Sequence, residues 1–246
     1  MIMNRQCRLH ASPSKILKQS PAEQSATPAA PEAWREECQA WAQLFGLAAA
    51  LYLREPTVEQ ARNCLAVGQA LAKHLPDESF VHLLTRVSIE DIAEVKQEFF
   101  DLFFVPVSGS YCPPFGEIAG PGHNVDNGGV ARVFQETGFI PAVLPGLPSY
   151  LRSLGRPDYI GFELAFLATI WGAAALSPDN TEAKGLYETG LFFHGNYLAS
   201  WAADFGRKVA ETAQSNYFRV CGHLTLFLVD TFEAGGPGQS VHDLNE

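Results

Sequence analysis

The stretch Glu98–Glu117, EFFDLFFVPVSGSYCPPFGE, ends a helix and opens a stiff loop within twenty residues. Phe99, Leu102 and Phe103 recur at helical spacing and give one apolar face, while Pro106, Pro113 and Pro114 forbid further helix. Tyr111 and Phe115 remain as large groups on a proline-stiffened, nearly uncharged turn. A core helix followed by a connector accounts for the pattern, and so does a binding loop carried by a rigid scaffold.

Outward from this stretch the apolar spacing stays helical, with Pro, Gly and capping residues supplying the breaks, so the fold is predicted to be all-α. Towards the N-terminus, Trp34, Cys38, Trp41, Phe45, Ala48 and Tyr52 form one stripe of a helix ending before Pro56. Thr57 with Gln60 reads as a capping box opening a helix to about Leu75, followed by a short helix near Asp77–Thr85. Ser88 is placed as the cap of the helix carrying Ile92, Val95, Phe99, Leu102 and Phe103.

Towards the C-terminus, 105–157 holds many prolines and glycines and one predicted helix, Asn127–Thr137. Asp158 is read as the N-cap of a helix to about Leu176, and Ser177 with Pro178 as the start of one reaching Leu198. Two further helices, Trp201 to about Ala213 and Ser215–Phe232, complete a single bundle domain over 32–233. Within it the helices 32–104 and 158–233 flank the loop-rich connection 105–157. The segments 1–31 and 234–246 read as disordered tails.

The 246 residues are 47% hydrophobic, enough for a substantial core, and the net charge of −10 opposes nucleic acid while favouring a cationic peptide. The five cysteines contain no C-x-x-C pair, which indicates neither a disulfide framework nor zinc and fits a reducing cytoplasm. No window has the apolar length of a membrane span, and the first thirty residues lack the apolar core of a secretory signal.

Chemical motifs are sparse. H-E-x-x-H, G-x-S-x-G and the P-loop are absent, and His123 with Asp126 is a thin basis for a metal site. Cys112 lacks an evident base, and His194 reads more simply as a core histidine. Neither a catalytic residue nor a cofactor or metal is expected, and the chain is read as a non-enzyme. A helical metal-dependent hydrolase or redox protein, using His123, Asp126 or His194, stays open as an alternative. So does a permanent assembly subunit of a redox complex.

Three blocks carry a resemblance. Glu98–Glu117 is similar to a helix ending in Leu-Phe before a Pro-Pro-aromatic-small loop, here Pro113, Pro114, Phe115 and Gly116. PDYIGFEL, Pro157–Leu164, is similar to an Asp-His-Ile-x-x-Glu-Leu helix start, with Tyr159 in place of the histidine. FFHGNYLASWAADFGRKVAETAQSNYFRVCGHLTLFL is similar to a C-terminal helix pair. In this order they resemble the TorD/DmsD/NarJ family of cytoplasmic chaperones for maturation of molybdenum-containing redox enzymes.

The resemblance implies a TorD-like helical bundle that binds the twin-arginine signal peptide, or the apo catalytic subunit, of a molybdenum- or tungsten-dependent oxidoreductase until its cofactor is inserted. The implied peptide-binding positions are Phe99, Leu102, Phe103, Pro113, Pro114, Phe115, Asp158 and Tyr159, to which the loop adds Tyr111. A monomer is expected, with helix exchange across the Pro/Gly-rich middle as the route to a domain-swapped dimer.

Overall fold

A computed structural model of the chain describes residues 31–88, 92–118 and 126–233. His123, residues 234–246 and all of 1–31 except Pro31 lie outside them. The chain is an all-α single domain, with no strand among the described residues. In chain order the helices are α1 (Pro31–Leu53), α2 (Val58–Leu71), α3 (Ser79–Leu84), α4 (Ile92–Phe103), α5 (Asn127–Thr137), α6 (Ser149–Arg152), α7 (Ile160–Leu176), α8 (Asn180–Phe193), α9 (Ala199–Thr212) and α10 (Asn216–Glu233). A 3-10 turn at Pro141–Val143 precedes α6, and a π-helical turn at His194–Leu198 joins α8 to α9.

The centre is α7, whose sequence IGFELAFLATIWGAAAL is apolar on every side, as a helix surrounded by others must be. It packs most extensively on α1 and then on α8, while α10 packs on α9 and α3. Rings fill the core. Phe45 meets Trp171 at 4.9 Å between centroids, and Phe166 meets Phe193 at 4.5 Å, separations at which aromatic pairs attract beyond their buried area.

The crossing of α9 and α10 depends on glycine. A Cβ added at Gly222 would lie 2.4 Å from the Ala210 backbone nitrogen and 2.5 Å from the Gly206 carbonyl oxygen, both rigid backbone atoms. Gly222→Ala is therefore expected to force the helices apart, cost about 1–3 kcal/mol and lower the melting temperature by roughly 2–12 °C. Gly185→Ala in α8, where a Cβ would meet nothing within 4 Å, should instead leave stability unchanged or raise it slightly, and paired melting curves test the contrast.

Several local expectations change. The Thr57 hydroxyl caps α2 by accepting from the Gln60 N–H at 3.1 Å, yet regular helix stops at Leu71, four residues short of Leu75. Asp179, not Ser177, caps α8 through its carboxylate, which accepts from the Thr181 and Glu182 N–H groups. No break separates Leu198 from Trp201. One extra residue is absorbed in the π turn, and helical backbone runs on from Asn180 to Thr212. Asp158 does not cap α7, because its side chain is engaged elsewhere.

Candidate functional site

The loop after α4 is fastened at both ends. At its start, Phe104 and Val105 donate N–H groups to the Phe100 carbonyl, and the Ser108 hydroxyl donates to the Asp101 carbonyl at 2.6 Å, closing the helix end. Gly109, with φ of 79°, supplies the left-handed turn. Cys112 then returns to α4, donating its N–H to the Leu102 carbonyl at 2.7 Å.

The second fastening is a short antiparallel bridge between Phe115 and Tyr159. The Gly116 N–H donates to the Asp158 carbonyl at 3.1 Å, and the Ile160 N–H donates to the Pro114 carbonyl at 2.9 Å. Asp158 closes the seam with its side chain: Oδ2 accepts from the Glu117 N–H at 3.1 Å, across 41 residues of sequence. A carboxylate with no solvent exposure is costly unless it is paired. Arg156 pairs it with a two-pronged contact, Nε to Oδ1 at 3.0 Å and Nη2 to Oδ2 at 2.7 Å. The same Nη2 donates to Glu117 Oε2 at 2.9 Å, and the guanidinium carbon stands 4.8 Å from the centre of the Phe115 ring. Asn127, at the start of α5, donates to the same Glu117 oxygen at 2.9 Å.

Most of the residues implicated from sequence lie inside this arrangement rather than on its surface. Phe99, Leu102 and Phe103 have no exposure, and Phe103 packs edge-on against Tyr52 at 5.4 Å and Phe218 at 5.6 Å. Pro113 and Pro114 are buried beneath the seam, Phe115 retains 8% exposure, and Asp158 and Tyr159 have none. The Tyr159 hydroxyl donates to the Tyr52 carbonyl at 2.6 Å and so ties the start of α7 to the end of α1. Tyr111 alone among the nine is half-buried. In this conformation the other eight are covered by the protein's own side chains, Asp158 and Phe115 in part by Arg156.

The loop's outward face comes from residues that sequence reading passed over. Val107 is 92% exposed and Ile118 is 50% exposed, on either side of the buried Pro113–Phe115 segment. Arg156 and Glu117 form the polar rim. Exposed Val and Ile have no periodic pattern in a loop, and a lone Arg between Gly155 and Pro157 has none either. The visible signal was the cation two residues before Asp158.

Behind the seam lies Glu163, in the first turn of α7. It is fully buried, and burial first, then the charge of Asp158, holds its pKa well above the ordinary carboxylate range, with a hydrogen-bonding interaction from the Trp201 indole opposing. His194 is similarly enclosed, and burial lowers it to about 4, with a backbone interaction at Leu228 opposing. The Cys112 thiol is pushed up by burial, which argues against a reactive thiolate. Asp126 occupies the N-cap position of α5 without a capping bond, and no group of three His, Cys, Asp or Glu able to hold a metal occurs among the described residues. No described helix is long and apolar enough to cross a membrane.

Compared with known proteins, the chain matches no family model, no curated protein and no solved structure.

Proposed function

We propose that the chain is a chaperone for a molybdenum- or tungsten-dependent oxidoreductase, recognising the twin-arginine signal peptide of the apo subunit with the loop 105–118 and its Arg156–Glu117 rim. It would act without catalysis, in the cytoplasm. The carrying observation is the combination on one loop: backbone and side-chain bonds fasten it at both ends, yet Val107 and Ile118 stand out into solvent. A preformed apolar loop avoids the entropy of ordering at binding, and the net charge of −10 suits a peptide with basic residues ahead of an apolar run. The three sequence blocks that resemble the TorD/DmsD/NarJ family contribute, in order, this loop, the start of α7 and the paired α9 and α10.

A synthetic signal peptide with an arginine pair followed by an apolar stretch, titrated into the protein by calorimetry, tests the reading. Binding should exceed that of the same composition scrambled. Val107→Asp with Ile118→Asp should weaken it by about tenfold or more, as expected when the buried centre of a small interface is made polar, and should leave the melting temperature unchanged, since both side chains already face water. Equal binding of the scrambled peptide, or no effect of the two substitutions, would overturn the assignment.

A further inference from the structure

Arg156 is held as a ligand is held. Its guanidinium makes a forked contact with a fully buried carboxylate, a second bond to Glu117 and a face contact with the Phe115 ring. Buried acid, exposed acid and aromatic plane are together the features that recognise a planar guanidinium and discriminate it from an ammonium. The residue that fills this cradle is weakly attached by everything except its side chain. It lies between Gly155, at φ of 64°, and Pro157, and no backbone hydrogen bond of Arg156 itself occurs among the described residues. Its side chain is 30% exposed, so the way out to water is open.

The seam does not depend on Arg156 for its backbone. Gly116, Glu117 and Ile160 bond to the Asp158 carbonyl, the Asp158 carboxylate and the Pro114 carbonyl, and none of these three bonds involves an atom of Arg156. Glu163 lies close enough for the Asp158 charge to act on it, and a carboxyl offers no alternative cation. A departing Arg156 therefore leaves a shaped, anionic receptacle that stays assembled and lacks its counter-charge.

We propose that Arg156 is an internal stand-in for an arginine side chain of the client, occupying a guanidinium receptacle made by Asp158, Glu117 and Phe115 until a client arginine displaces it. The inference rests on the peptide-binding reading above and adds its control: the empty protein keeps its site closed against cations that cannot make the forked contact. Because the stand-in competes at high effective concentration, it taxes the affinity of every arginine ligand by the fraction of time the receptacle is filled. Removing it relieves that tax.

The probes are arginine amide, lysine amide and the arginine-pair signal peptide, titrated against wild type and Arg156→Gln, with melting curves in each ligand. Arg156→Gln should melt lower than wild type, regain stability in arginine amide but not in lysine amide, and bind the peptide about tenfold or more tightly than wild type. Where Arg156→Gln fails to fold without ligand, Arg156→Lys supplies the measurement, since a lysine makes no fork and should be displaced by arginine amide more readily than Arg156. No selective rescue by arginine amide in either variant, or unchanged or weaker peptide binding, would overturn the stand-in. Wild type that binds the signal peptide while the variants show no rescue would sink this inference alone. Selective rescue in protein that ignores the peptide would sink the client reading and leave the receptacle standing.

Discussion

Asp158→Ala is expected to cost about 3 kcal/mol, the lower end of the range for removing one partner of a buried ion pair. The reasoning is local. The alanine abolishes the forked contact with Arg156 and strips the Glu117 N–H of its acceptor. Arg156 is partly exposed and swings to water, which spares the protein a stranded buried charge and keeps the cost from the upper end. For a chain of this size the melting temperature should fall by roughly 6–12 °C. Cleavage within 105–118 by a nonspecific protease should rise in parallel, because the seam that fastens the loop has lost its centre. Asp158→Asn keeps an acceptor for Glu117 and should cost less. A loss below about 1 kcal/mol for Asp158→Ala would mean that backbone bonds alone hold the loop.

The second large effect is on the pH dependence of stability, through two buried groups that act in opposite directions. Glu163 keeps its proton in the fold after the unfolded chain has released it, so its contribution falls as pH rises above about 4.5, at about 1.4 kcal/mol per pH unit until it ionises. His194, lowered from 6.5 to about 4, is neutral in the fold where the unfolded chain is protonated. Its contribution is present above 6.5 and lost as pH falls to about 4, a total of about 3 kcal/mol. Where both act, above about 4.5 and below about 6.5, the two slopes oppose each other, so the pH dependence there is shallower than either group alone would give.

Glu163→Gln isolates the first group. Its stability relative to wild type should be flat below about pH 4.5 and should climb above that at up to about 1.4 kcal/mol per unit until Glu163 ionises in the fold, which denaturant titrations at pH 4, 6 and 8 measure directly. A difference that does not change with pH would show that Glu163 is already ionised in the fold.

The helices were legible because their apolar residues recur at 3–4 spacing, and α5 has the bounds that its glycine-rich start and Gly138 end suggest. The π turn at His194–Leu198 was not, since one extra residue leaves both flanking stripes intact while shifting them relative to each other. Asp158 shows the limit of local rules. A carboxylate just before an apolar run satisfies the capping pattern, yet its decisive partner, the Glu117 N–H, comes from 41 residues away. Phe99, Leu102 and Phe103 were read correctly as one apolar face, but a face that lines a groove and a face that fills a core have the same spacing. What separates them is whether Tyr52, Phe205 and Phe218 arrive to cover it, and only the tertiary fold decides that.

Amide hydrogen exchange on the full chain, with and without the arginine-pair signal peptide, tests the central claim most directly. Binding at the proposed surface should slow exchange in 105–118 and at 155–160 and leave α9 and α10 unchanged. Peptide-dependent protection confined to another part of the bundle, or saturating peptide with no protection in either segment, would contradict it.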